Sequence, residues 1–114
     1  MARGPLRGEV WMVDLRPTRG HEQDLLRPSV VVSSDEFNRS AAELVMVLPM
    51  TRTFRGIPFH VEVDPPEGGL RARSYVLCDQ IRTIAKERLG ARRGELSQAT
   101  LRRCDARLRV LLDL

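Results

Sequence analysis

Apolar and polar residues follow two different periods along this chain, one of two residues and one near a helical turn, and the change of period divides the sequence. Gly8-Glu9-Val10-Trp11-Met12-Val13-Asp14-Leu15 is rich in β-branched and aromatic residues and predicts a strand stopped by Pro17. A polar loop follows through Asp24. A second strand is expected from about Arg27 to Ser34, centred on the valine run Val30-Val31-Val32. Asp35-Glu36-Phe37-Asn38-Arg39-Ser40 predicts a turn or a single helical turn. Leu44-Val45-Met46-Val47-Leu48 reads as a third, fully apolar strand ending at Pro49, with Met50-Thr51-Arg52-Thr53 emerging from it. Phe59-His60-Val61-Glu62-Val63 alternates as a half-buried strand does, and Pro65-Pro66-Glu67-Gly68-Gly69 is a turn. Ser74-Tyr75-Val76-Leu77-Cys78 and Gln80-Ile81-Arg82-Thr83-Ile84 add one or two strands around Asp79. Short strands between frequent breakers predict a small barrel or a strongly bent sheet.

From Ser97 the period lengthens. Leu101, Cys104, Leu108 and Leu111 follow helical spacing with Arg102, Arg103, Arg107 and Arg109 between them. Ser97 suits an N-cap, and Leu96 and Leu101 are placed for a hydrophobic staple. The arginines of this helix fit a solvated face better than a binding stripe. No repeat, low-complexity segment or linker interrupts the chain, so residues 1–114 are expected to form one domain.

Length and composition agree with that picture. A chain of 114 residues, 42% of them hydrophobic, is large and apolar enough to bury a core without disulfides. No apolar run approaches the roughly 18 residues that a membrane-spanning helix needs. Met1-Ala2-Arg3-Gly4-Pro5 leads into no apolar stretch of a secretory signal, so the cytoplasm is the expected compartment and no membrane partner is expected. Cys78 and Cys104 stand apart from each other and from any metal-binding spacing; buried thiols in a reducing compartment are expected, with no metal site and no cofactor.

The net charge of +4 understates how basic the chain is, because Lys86 is its single lysine and all the other cationic side chains are arginines. Arginine grips phosphate through a planar, permanently charged fork and stacks on bases, which favours a nucleic-acid or acidic partner. Arginine replacing lysine across the surface, as in a codon-biased source, explains the composition equally well.

Several chemistries lack their motifs. There is no phosphate-cradling glycine loop, no HExxH and no GxSxG. The residues left to do chemistry are Gly20-His21-Glu22-Gln23-Asp24-Leu25-Leu26-Arg27-Pro28 at the mouth of the second strand, Met50-Thr51-Arg52-Thr53 at the exit of the third, and Asp79-Gln80-Ile81-Arg82-Thr83.

These segments, with Arg7-Gly8-Glu9-Val10-Trp11-Met12-Val13-Asp14-Leu15, Ser74-Tyr75-Val76-Leu77-Cys78 and Arg88-Leu89, stand in an order and spacing that resemble the MazF/PemK family of toxin endoribonucleases over nearly the whole chain. The resemblance implies a mainly β (α+β) fold, a small SH3-like barrel of about five to seven strands with a C-terminal α-helix. It also implies a two-fold homodimer, metal-independent and sequence-specific cutting of single-stranded RNA, and a cognate MazE-like antitoxin whose tail lies along the active-site groove. Arg27 and Thr51 match the family's catalytic positions, and Glu22 matches a carboxylate found in some members.

The chemistry can be set against the residues directly. Attack of a ribose 2′-hydroxyl on the adjacent phosphate needs a proton acceptor, stabilisation of a doubly charged phosphorane, and a proton for the departing 5′-oxygen. Arg27 suits the second task, since its fork can hold two phosphoryl oxygens. Thr51 can add a hydroxyl donor to the same oxygens. Glu22 and His21 are the candidate bases: a guanidinium stays protonated and cannot accept a proton, whereas a desolvated glutamate can reach a useful pKa and a histidine titrates nearer neutrality. His21, Gln23 and Arg52 are candidate RNA contacts. Gln80, Ile81 and Arg82 resemble the segment lining the RNA groove, where an amide can read a base edge and an apolar side chain can support a base face. His60, on an alternating strand, reads as structural, and Trp11 as packing. The loop from Arg16 to Leu26 is expected to move as a gate over RNA.

Two other readings use the same features. A CcdB-like gyrase poison has the same barrel and cleaves nothing, but the Arg27/Thr51 pair belongs to the ribonuclease branch, and the end Leu111-Leu112-Asp113-Leu114 has no aromatic residue for a gyrase contact. A passive RNA-binding module fits the charge and gives Thr51 no purpose.

Overall fold

The computed structural model describes residues 4–16 and 26–114. Within them seven antiparallel strands, β1 (Glu9–Asp14), β2 (Leu26–Val31), β3 (Leu44–Thr51), β4 (His60–Val63), β5 (Ser74–Leu77), β6 (Arg82–Ala85) and β7 (Leu89–Glu95), form one sheet. A short helix α1 (Asp35–Arg39) joins β2 to β3, and helix α2 (Gln98–Leu112) ends the chain. The strand order is β4-β5-β3-β2-β1-β7, with β6 also paired to β3.

Alternate residues of the central strands enter two different apolar clusters, and this is why β3 is apolar along nearly all its length. Val10, Val30, Leu48 and Met50 belong to one cluster with Val61, Val63 and Val76. Val13, Val31, Val45 and Val47 belong to the other with Ile84. A strand buried on both faces has no polar side to show. Helix α2 closes the first cluster with Cys104, against which Leu108 also packs, and Ser97 caps it by accepting from the Thr100 amide at 3.1 Å. Leu96 and Leu101 are buried as a staple requires, whereas Leu111 at the far end is 37% exposed. The arginine face of α2 is partly engaged: Arg103 and Arg107 donate weakly to the carbonyls of Glu62 and Pro58.

The second strand ends at Val31, short of the expected Ser34, whose hydroxyl instead caps α1, and two further expectations change. The third strand does not stop at Pro49; β3 continues to Thr51. It pairs with β6 from Leu44 to Val47 and with β5 at Met50 and Thr51, so Pro49 falls in the stretch between those partners, where a missing N–H does least harm. The second change is β7, whose sequence Leu89-Gly90-Ala91-Arg92-Arg93-Gly94-Glu95 has too many glycines and charges to announce a strand. Gly94 is there because another backbone needs the room. A Cβ on it would lie 2.8 Å from Gly68 C and Gly69 N, in the 3-10 turn Glu67–Gly69. That turn lies against β7, and among the described residues β4 and β7 stay unpaired edges. The expected small barrel is therefore not closed, and the strands form an open antiparallel sheet.

Candidate functional site

The ladder between β2 and β3 has its last described pair at Ser29–Pro49. Carried two residues further, the same register sets Arg27 opposite Thr51. Pro28 removes a donor from the β2 edge beside that point, and the ladder ends where the two candidate catalysts stand. Arg27 is itself fixed from the other side, paired with Val13 of β1. The end of β1 is stiffened in turn by Arg16, whose Nε and terminal nitrogen both donate to Asp14 at 2.9 Å. These bonds from Arg16 hold the Asp14 carboxyl well below the usual carboxylate range. Across the site, Thr51 Oγ1 accepts from the Thr53 amide at 3.1 Å, which leaves its O–H to donate outward.

Arg27 and Thr51 form a ridge between two clefts and line both. The first, of about 390 Å³, adds Arg52, Arg71 and Arg93 to its wall. The second, of about 370 Å³, adds Arg55, Gln80, Arg82, His60 and Asp79. Among the described residues, Arg27, Arg52, Arg55 and Arg71 have no hydrogen-bond or ion-pair partner, so their charge faces outward uncompensated. Arg82 and Arg93 are held by backbone: Arg82 donates to Leu15 O at 2.8 Å and Arg93 to Gly69 O at 3.1 Å. An anionic polymer laid across the ridge would meet arginine on either side.

The expected site residues are thus sorted by position. Arg27 and Thr51 come together, Arg52 joins the first cleft, and Gln80 and Arg82 join the second. Ile81, 38% exposed, lines neither cleft. His21, Glu22 and Gln23 lie outside the described residues, as does most of the expected gate. Arg55, Arg71 and Arg93 were missed, since nothing in a chain so rich in arginine marks them until strands from distant segments bring them to one wall.

His60 is buried at the wall of the second cleft. Its side chain is 5% exposed, Nε2 lies 3.4 Å from Asp79 Oδ1, and neither ring nitrogen has a hydrogen-bond partner. Asp79, adjacent to Gln80 in sequence, shares the second cleft with it.

Comparison with known proteins finds relatives along nearly the whole chain. A family profile described as "PemK-like, MazF-like toxin of type II toxin-antitoxin system" matches residues 6–112. Endoribonuclease MazF9 of Mycobacterium tuberculosis is 41% identical over 113 residues, covering 95% of this chain and 96% of that protein. A mycobacterial endoribonuclease solved in complex with its cognate antitoxin superposes with a TM-score of 0.79 at 33% identity, covering 96% of each chain. MazF from Deinococcus radiodurans gives a TM-score of 0.83 at 26% identity, over 99% of this chain and 100% of that one. With the profile spanning nearly all the sequence and the fold shared throughout, the chain belongs to the PemK-like, MazF-like toxins of type II toxin–antitoxin systems.

Proposed function

We propose that this protein is an endoribonuclease toxin that cuts single-stranded RNA at a short sequence motif, without a metal ion, and so inhibits translation and growth. The observation that carries the reading is the ridge: Arg27 and Thr51 stand together between two arginine-walled clefts. The ribose 2′-oxygen attacks the adjacent phosphorus and the bond to the 5′-oxygen breaks, leaving 2′,3′-cyclic phosphate and 5′-hydroxyl ends. Arg27 neutralises the two phosphoryl oxygens of the phosphorane and Thr51 donates its hydroxyl to one of them, each more strongly as charge builds up. Glu22 is assigned the proton from the 2′-hydroxyl, and water supplies the proton that the departing 5′-oxygen takes up. His21, Gln23, Arg52, Gln80, Ile81 and Arg82 are assigned RNA contacts, in which phosphate is gripped by arginine and base edges are read by amides.

The MazF relatives solved with antitoxins support a cognate antitoxin for this chain as well. We infer an acidic segment that folds onto the basic clefts and blocks them. A homodimer would join two copies of the groove by a two-fold axis. No helix of the described residues is long and apolar enough to cross a membrane, and the cytoplasm, where the RNA is, is the proposed compartment.

The test is a long single-stranded transcript incubated with the purified protein in EDTA, with cut sites mapped by primer extension. Cuts at a recurring short motif, with cyclic phosphate at the 3′ side, are expected. An intact transcript, or cutting only when a divalent ion is restored, overturns the reading.

A further inference from the structure

The loop between β3 and β4 carries an aromatic side chain where a soluble surface ordinarily does not. Phe54 is 70% exposed, yet its ring is held in place. It packs against Tyr75 with centroids 5.6 Å apart and planes tilted by 57°, a favourable edge-on arrangement. Gly56, at φ +65°, turns the chain close beneath it, so that a Cβ there would lie 3.5 Å from the ring. The Phe54 ring is braced by Tyr75 and by the turn at Gly56 while most of its surface stays exposed.

Its location gives the exposure a meaning. Tyr75 of β5 pairs directly with Thr51 of β3, and residues paired across strands share a face of the sheet. The aromatic pair therefore stands one strand away from the Thr51 hydroxyl. Phe54, Tyr75 and Ile57 border a hollow of about 160 Å³ that shares Arg55, Ile57 and His60 with the second cleft. Arg52 and Arg55 flank Phe54 in sequence and have no ion-pair partner among the described residues. The one acidic side chain in the wall, Glu62, lies 3.6 Å from Arg73 and is partly neutralised.

From this geometry we propose that Phe54 and Tyr75 form a base-stacking platform that holds a nucleotide of the RNA flanking the cut bond. The proposal rests on the reading of the Arg27/Thr51 ridge as an RNA-cutting site. A flat base covers the exposed aromatic surface, while arginines on either side meet the phosphates, the combination by which unstacked single strands are held. An apolar peptide would cover Phe54 but leave Arg52 and Arg55 desolvated and unmatched. The platform contributes to binding in ground state and transition state alike, so it acts on KM and not on kcat.

The experiment compares wild type with Phe54→Ala, Phe54→Leu and Phe54→Trp on one oligoribonucleotide containing a mapped cut site, and on versions with an abasic residue at each position beside it. Circular dichroism establishes that each variant is folded. Phe54→Ala and Phe54→Leu are expected to raise KM about tenfold, the worth of one stacked base, while Phe54→Trp keeps the wild-type KM. The loss caused by Phe54→Ala should vanish on the one abasic substrate that lacks the stacked base. If RNA is cut and Phe54→Ala leaves KM within about twofold of wild type, the platform is refuted while the ridge stands. Wild-type behaviour of Phe54→Leu, or an effect of Phe54→Ala only on self-association or antitoxin binding, also refutes it. A wild-type protein that cuts no RNA overturns the ridge, and the platform with it.

Discussion

Glu9 and Arg92 join the first strand to the last: Arg92 Nε donates to Glu9 Oε2 at 2.7 Å, on a carboxylate side chain only 3% exposed. The other oxygen, Oε1, accepts from the Leu6 amide at 2.8 Å and the Trp11 indole at 3.1 Å. Burial raises the Glu9 pKa, but the bonds from Leu6, Arg92 and Trp11 together outweigh it and hold the carboxyl below its ordinary value. A carboxyl with a lower pKa in the folded state stabilises the fold above its unfolded pKa and loses that contribution as pH falls through the folded one. Glu9→Gln should therefore lower stability near neutral pH by about 2 kcal/mol and flatten the acid side of the stability profile. Urea unfolding from about pH 7 to about pH 3 measures both; an unchanged acid side would remove Glu9 as its source.

Arg27→Ala and Thr51→Ala should each slow cutting on the order of 10²–10³-fold, as loss of a preorganised charge-stabilising donor does. Arg27→Lys should recover little, because a point charge cannot hold two oxygens as the fork does. Affinity for an uncleavable oligonucleotide with a 2′-deoxy residue at the cut site should stay within a few-fold of wild type. Full cutting by both alanine variants would show that the ridge is not the site of chemistry.

Gly69 adopts φ +68°, and a Cβ there would fall 2.0 Å from the Arg93 carbonyl oxygen. The neighbour is backbone of β7, which cannot step aside. Gly69→Ala should cost about 3 kcal/mol or more, from clash and strained backbone together. Because Arg93 also donates to the Gly69 carbonyl, the first cleft should lose its wall arginine at the same time. Thermal unfolding and oligonucleotide affinity should fall together; a variant as stable as wild type would contradict the close approach.

Cys78, in the turn after β5, and Cys104, on α2, are both fully buried in the first apolar cluster. The Cys104 partner and burial push the Cys78 thiol up, far from the thiolate form that reacts. Neither should react with a water-soluble disulfide reagent until the protein unfolds, when both should react together. Prompt modification of the native protein would mean that the cluster opens locally.

What the sequence could and could not tell follows from where each signal resides. The apolar run Leu44-Val45-Met46-Val47-Leu48 of β3 and the Ser97 cap are local, and the structure places both as expected. β7 was hidden because its glycines serve a neighbour distant in sequence, and a pattern read along one strand has no term for the backbone lying against it. Arg27 and Thr51 could be chosen from the sequence through family resemblance, but the ridge they share could not, because it depends on where the ladder between β2 and β3 ends. The aromatic platform was invisible for a similar reason. Phe54 and Tyr75 are unremarkable residues until β5 pairs with β3 and sets one beside the other.

The ridge has a mechanical consequence. A polymer that passes from one cleft into the other over the residues they share would have to turn there. Single-stranded RNA, with its rotatable backbone, can make that turn at low cost. A duplex cannot, because its stacked base pairs resist bending over a few nucleotides and its bases are already occupied by each other. The same turn would rotate the sugar against the next phosphate and help bring the 2′-oxygen behind the bond that breaks. Flexibility would then act as the first filter on the substrate, ahead of any base being read, and a target hidden in a hairpin stem would be passed over however well its sequence matched.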